Sequence, residues 1–234
     1  MAFAFSAGAS AQDEHAPFIT TPSDVVERML RFAGTGASDL VYDLGSGDGR
    51  IVITAARKYG ARGLGIELDA KLVDVSRENA RKAGVADRVA FVQGDVLEAD
   101  FSKATVVTVY LLPNLISRLE ARFLALRPGT RIVSHSFHME SWRPDRSMTM
   151  PVTQPHPGQG DVSNLYLWIV PADVRGVWKS GNQRVRIEQN YQEIDVDGMR
   201  GTLGGYAIAW GKFHGRVDGE RIVGDDGTVL TRER

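Results

Sequence analysis

The run Val41-Tyr42-Asp43-Leu44-Gly45-Ser46-Gly47-Asp48-Gly49-Arg50-Ile51-Val52-Ile53-Thr54-Ala55-Ala56 decides how this chain is read. A short apolar strand, Leu40-Val41-Tyr42, ends on an acid and enters a Gly45-x-Gly47-x-Gly49 turn, and a helix follows at once. That order puts backbone N–H groups and a surface open to close approach at the carboxyl end of the first strand, the edge at which open α/β sheets bind ligands. Taken alone, the glycine spacing also fits a plain connecting turn. It is sharpened by an acid at the end of each successive strand: Asp43, then Glu67 in Gly65-Ile66-Glu67, then Asp95 in Gln93-Gly94-Asp95-Val96.

Outward from this turn, strand and helix alternate. Upstream, Thr21-Pro22-Ser23-Asp24 reads as a helix start, with Thr21 as N-cap, Pro22 at the first helical position and Asp24 completing a capping box. The stripe Val25, Val26, Met29, Leu30, Phe32, Ala33 continues that helix until Gly34 and Gly36. Downstream, the pattern predicts a helix over 50–58, a strand Gly63–Glu67, a helix over 70–83 capped by Asp69 and a strand Arg88–Gln93. It then predicts a strand Thr105–Leu112, a helix Pro113–Ala125 and a strand Thr130–Phe137. The near-continuous apolar strands, each followed by an amphipathic helix, argue for a doubly wound, mostly parallel sheet covered on both faces. A polar, Pro-rich stretch from Trp142 to Gly160 interrupts the pattern before a last strand, Asn164–Val170. After Pro171 the helical period disappears, and Asp197-Gly198, Asp218-Gly219 and Asp226-Gly227 punctuate short alternating runs as hairpin signals. The chain therefore divides into a tail at 1–16, an α/β domain at 17–171 and a small antiparallel β appendage at 172–234.

Composition narrows the function classes. A chain of 234 residues with 43% hydrophobic and 24% charged residues and no long apolar run excludes a membrane-spanning, solenoid or disordered protein. Lys+Arg of 28 against Asp+Glu of 29 supplies no positive field for a phosphate backbone, so nucleic acid is not the expected partner. The absence of Cys removes disulfides, thiolate nucleophiles and Cys-ligated metals. Met1 to Ala11 is small and apolar, and Ala9-Ser10-Ala11 has the small-x-small form of a signal-peptidase site. It reads either as a disordered tail on a cytoplasmic protein or as the stump of an export signal.

Glu67 stands about 20 residues beyond the glycine turn, where a carboxylate accepts both hydroxyls of a ribose. This serves a dinucleotide and S-adenosylmethionine equally. Electrostatics separates them: a dinucleotide would set its pyrophosphate on this loop against Asp43 and Asp48, whereas S-adenosylmethionine has no phosphate and carries an ammonium and a sulfonium. Asp95 is placed to accept from the adenine amine, with Leu68 and Val96 as apolar faces for the ring.

The 41–56 run resembles motif I of the seven-strand, class I S-adenosylmethionine methyltransferases. Within that superfamily the chain is similar to the archaeal and bacterial broad-specificity protein lysine methyltransferases, related to the mitochondrial enzyme that methylates the ATP-synthase c-ring. The likeness runs over residues 17 to 170 and also rests on Pro17 to Val26, Ala104 to Asn114 and Leu126 to His135. It implies a Rossmann-like sheet of seven strands. It further implies that Thr21 and the Gly45-Ser46-Gly47 turn hold the methionine part, Glu67 the ribose and Asp95 the adenine, and that Tyr110 lines the methyl-transfer site. Where the family usually has Tyr-Val-Pro-Thr, this chain has Phe18-Ile19-Thr20-Thr21, with one phenolic hydroxyl fewer. The tail beyond Pro171 has no counterpart in the compact archaeal enzymes and is a candidate cover for the acceptor site.

The implied reaction is in-line methyl transfer to a lysine amine of a protein. A small-molecule N- or O-acceptor and a non-catalytic cofactor-binding role stand as alternatives. Tyr110-Leu111-Leu112-Pro113 offers an apolar wall and lacks the Asn/Asp-Pro-Pro-aromatic signature of base-amine methyltransferases. His135 and His138 read as ordinary histidines at a strand and its end, pointing to opposite faces and so not forming a metal site. Trp142, Trp168, Trp178 and Trp210 read as packing residues.

Overall fold

The computed structural model describes residues 19–156 and 160–233, with 154–156 as backbone alone. Met1 to Ala11, Pro17, Phe18 and the side chain of His156 lie outside the described residues. Four helices, α1 Ser23–Phe32, α2 Arg50–Tyr59, α3 Ala70–Lys82 and α4 Pro113–Leu124, accompany the strands β1 Leu40–Leu44, β2 Arg62–Glu67, β3 Val89–Gln93, β4 Val106–Val109, β5 Arg131–His135, β6 Arg146–His156 and β7 Gly160–Ile169. These form one seven-stranded sheet in the order β3-β2-β1-β4-β5-β7-β6, parallel through β5 and antiparallel over β7 and β6. The order reverses at β1, and the crevice between β1 and β4 is the topological switch point.

Side chains alternate along the central strands, and both faces are apolar. Val41, Val106 and Val133 pack under Val25, Met29 and Leu30 of α1 and Ile51 and Ala55 of α2. Tyr42, Leu44, Val107, Val109 and Ile132 pack against Ile116, Leu119 and Phe123 of α4, together with Trp142 and Trp168. Val52, Ile53 and Ala56 of α2 meet Val73 and Ala80 of α3 over Phe91 of β3.

Four expectations of local structure are corrected. Thr21 does not cap α1: Pro22 holds the cap position without a side-chain hydrogen bond. Asp24 does not close a capping box either, because its carboxylate accepts from the backbone N–H of Val25 (2.9 Å) and from the N–H and hydroxyl of Thr153 (2.9 and 2.8 Å). The stretch within Trp142–Gly160 read as an interruption contains β6, the edge strand, where Pro151 is tolerated because an edge leaves one row of N–H groups unpaired. The fourth strand stops at Val109, so Tyr110, Leu111 and Leu112 lie beyond its end, in the segment leading to α4.

The appendage closes on itself. Strands β8 Gly176–Ser180, β9 Gln183–Asn190, β10 Glu193–Val196, β11 Met199–Gly204, β12 Ala207–Trp210, β13 Phe213–Asp218, β14 Arg221–Gly224 and β15 Val229–Arg232 form an antiparallel barrel, completed by Thr231 and Arg232 of β15 pairing with Lys179 and Trp178 of β8. Closure removes the exposed edges of a meander. Its interior is filled by Trp178, Ile187, Ile194, Leu203, Ile208, Val217, Ile222 and Leu230. Asp197 and Gly198 both take positive φ (49° and 87°), the turn that an Asp-Gly pair favours between twisted strands.

The barrel docks on α4 and on the segments around the sheet, not on the carboxyl edge. Trp142 stacks on Tyr191 (5.8 Å between ring centroids, 7° between planes) and donates from Nε1 to Gln192 Oε1 at 2.8 Å. Gln192 Nε2 donates to the Arg143 carbonyl (2.6 Å), Tyr191 donates to Glu120 Oε1 (2.9 Å), and the Ala172 N–H donates to the Gly205 carbonyl (2.8 Å). The tail, a candidate cover for the acceptor site, contributes no residue to the lining of the cleft. Trp142, Trp168, Trp178 and Trp210 are buried, as packing residues should be.

Candidate active site

At the end of β1 the chain turns through Gly45, Gly47 and Gly49, with φ of 80°, 53° and 81°. The turn is fastened to the neighbouring strand, because the N–H groups of Gly45 and Ser46 both donate to the Ile66 carbonyl (2.9 and 3.0 Å). Glycine is needed here for space as well as for φ. A Cβ on Gly45 would stand 2.9 Å from Leu111 Cδ2, and one on Gly49 would stand 2.7 Å from the Phe91 ring.

Glu67, at the end of β2, accepts from Gly47 N–H through Oε2 (2.8 Å) and from Asp69 N–H through Oε1 (3.0 Å). Each oxygen is anchored by one bond and retains a lone pair for a ligand hydroxyl. Asp43 is buried and accepts from the Thr108 hydroxyl at 2.7 Å. Burial pushes its carboxyl up to about 7, against the Thr108 hydrogen bond and reinforced by the charges of Glu67 and Asp48. Asp48 itself is compensated: Arg50 grips it through Nε and Nη2 (2.9 and 2.6 Å) and also donates from Nη1 to the Thr21 carbonyl (2.9 Å). The repulsion of a pyrophosphate therefore falls to Glu67 rather than to Asp48, and Asp43 joins it as pH rises through about 7. Asp95, exposed beyond β3, turns one oxygen onto the N–H of Leu97 at 2.8 Å.

Thr21, Asp43, Gly45, Ser46, Gly47, Glu67, Leu68, Asp95, Val96 and Tyr110 all line one cleft of about 610 Å³ at the carboxyl edge of the sheet. Every residue expected at the site is thus brought to one place. Leu68 is half exposed at the rim while Val96 is buried opposite. The cleft adds Ile19, Thr20, Arg50, Leu115 and Arg118 to the expected set and includes Leu111 of the expected wall. Of these, Arg50 carried a sequence signal, since an Asp48-x-Arg50 pair closes the glycine turn; Leu115 and Arg118 are brought by the pitch of α4 and carried none.

His135 ends β5. It is fully buried, with Nδ1 3.3 Å from the Thr21 hydroxyl and Nε2 3.0 Å from the Ser163 hydroxyl, and its ring centroid lies 4.3 Å from that of Tyr110. His138, by contrast, is exposed beyond β5 and sets Nδ1 3.0 Å from the Met139 carbonyl.

The residues fit S-adenosylmethionine. The lining is acidic on the side of Asp43 and Glu67, and the glycine turn leaves a cradle that side chains would fill.

Comparison with known proteins agrees with this geometry. The model of the ANTKMT methyltransferase domain matches residues 43–146. A protein-lysine N-methyltransferase of Saccharolobus islandicus is 43% identical over 132 residues, which cover 56% of this chain and 82% of that protein. The adenine nucleotide translocase lysine N-methyltransferase of Mus musculus is 35% identical over 130 residues, which cover 55% of this chain and only 56% of the relative's length. A solved structure from Salinibacter ruber, described as an RNA methyltransferase in complex with S-adenosyl-L-homocysteine, is 50% identical with a TM-score of 0.61 and covers 67% of this chain and 96% of its own. The chain belongs to the class I S-adenosylmethionine-dependent methyltransferases, among the relatives of the S. islandicus protein-lysine enzyme.

Proposed function

We propose that the protein methylates lysine amines of a protein acceptor by direct in-line transfer from S-adenosylmethionine. The observation that carries this reading is the 43% identity to a protein-lysine N-methyltransferase over 82% of that relative. In this reading the glycine turn and Thr21 hold the methionine end, Asp43 lies on its cationic side, Glu67 binds the ribose, and Leu68, Asp95 and Val96 enclose the adenine. The cofactor supplies a methyl group activated on a sulfonium.

What remains for the chain's own residues is orientation and desolvation. A lysine amine of pKa near 10.4 is held neutral at pH 7 at a cost of about 4.6 kcal/mol, and an apolar wall lowers that cost by disfavouring the ammonium. Tyr110 and Leu111 form such a wall beside the cleft, with Leu112 40% exposed at its outer end as an entry surface. No covalent intermediate on the protein is needed.

A second reading follows from the S. ruber structure described as an RNA methyltransferase. The net charge of −1 argues against it, because a phosphate backbone needs a positive field. Incubating the protein with methyl-labelled S-adenosylmethionine and a cell extract decides the matter. Label recovered as methyl-lysine after acid hydrolysis supports the proposal; label released by ribonuclease, or carried by a small extract component, overturns it.

A further inference from the structure

We propose that His135 is the positioning residue of this site, fixing Thr21 at the methionine end and Tyr110 at the acceptor wall in one arrangement. The inference rests on reading the cleft as the S-adenosylmethionine site.

Thr21 belongs to no regular element and makes no helix cap, yet it lines the cleft and is 4% exposed. Two groups hold it. Its carbonyl accepts from Arg50 Nη1 at 2.9 Å, and its hydroxyl lies 3.3 Å from Nδ1 of His135, a residue 114 positions away. The opposite ring nitrogen, Nε2, is 3.0 Å from the Ser163 hydroxyl on β7, and Ser163 is itself fully buried. The imidazole plane is therefore set from both ends. A hydroxyl can donate or accept, so each partner satisfies whichever tautomer the ring adopts.

Tyr110 rests on the imidazole thus fixed, its centroid 4.3 Å away and its plane tilted by 39°, with Phe137 stacked at 6.4 Å. An apolar side chain at 135 would pack the strand end equally well. Placing a polar ring there, with buried hydroxyls on two other segments, costs stability unless every bond is made, and it yields a unique geometry when they are. That geometry is what a reaction sensitive to sub-ångström alignment requires.

The ring's two nitrogens can be tested separately. In His135→Asn the amide group stands near the position of Nδ1 and keeps the Thr21 bond; in His135→Gln it stands near Nε2 and keeps the Ser163 bond. Calorimetric titration with S-adenosylhomocysteine should find His135→Gln and Thr21→Val weakened roughly tenfold, and His135→Asn and Thr21→Ser within about threefold of the parent. The double variant His135→Gln/Thr21→Val should bind no more weakly than Thr21→Val alone, because the bond lost in His135→Gln is already absent there.

Equal binding by His135→Gln and the parent, or additive losses in the double variant, would overturn the inference. Should His135→Gln fail to fold, His135→Phe decides, because it keeps a ring against Tyr110 and loses the Thr21 bond: affinity equal to the parent overturns the proposal, and a roughly tenfold loss supports it. A parent protein that binds no S-adenosylhomocysteine overturns the reading of the cleft itself, an outcome distinct from binding that the variants leave unchanged.

Discussion

Asp43 makes the site sensitive to pH. With its carboxyl raised to about 7 by burial, the folded chain holds a proton that the unfolded chain has released above about pH 4. The folded state then binds more protons than the unfolded one in that window, so this group's contribution to stability is present below pH 4 and lost as pH rises through 7. Asp43→Asn keeps an acceptor for the Thr108 hydroxyl and removes the buried charge. Urea unfolding of the ligand-free protein should find the variant more stable than the parent by roughly 1–3 kcal/mol at pH 8 and little different at pH 4. An unchanged difference across that range would mean that Asp43 does not titrate there. The reason for such an acid was legible in the sequence, as one of three carboxylates ending successive strands. The role of His135 was not, because its partners Thr21 and Ser163 are distant in sequence and no local pattern marks them.

At the scale of elements, the strands and helices around the glycine turn followed from periodicity, since each is a local pattern of apolar spacing. Misreadings arose where a tertiary contact overrode a local rule. Thr21 had the form of a cap but its hydroxyl is engaged by His135, and β6 was hidden by prolines although Met148, Met150 and Val152 alternate along it and pack toward the α1 side. The junction between α4 and the barrel gives a prediction of its own. Gln192 accepts from the buried Trp142 N–H and donates to Arg143, so Gln192→Ala leaves a buried donor unsatisfied. It should cost about 1–3 kcal/mol in denaturant unfolding. S-adenosylhomocysteine affinity should stay unchanged, because neither Gln192 nor Trp142 lines the cleft; a marked loss of affinity would show that the barrel acts on the site through Trp142.

The whole molecule is a doubly wound sheet carrying a closed barrel at a distance from its carboxyl edge. Three hairpin turns of the barrel were visible as Asp-Gly pairs, but its closure was not: β15 pairs with β8 across more than fifty residues, through contacts such as Thr231 with Lys179. What unifies the enzyme is the cleft at the switch point, lined by Asp43 and Glu67 and shaped by the glycine turn. It accommodates a nucleoside that is cationic and free of phosphate. Titration calorimetry of the full chain against S-adenosylhomocysteine, with NAD and ATP in parallel, tests this most directly. Saturable one-to-one binding of the first and no heat from the other two is the predicted result; tight binding of NAD or ATP with none of S-adenosylhomocysteine would contradict it.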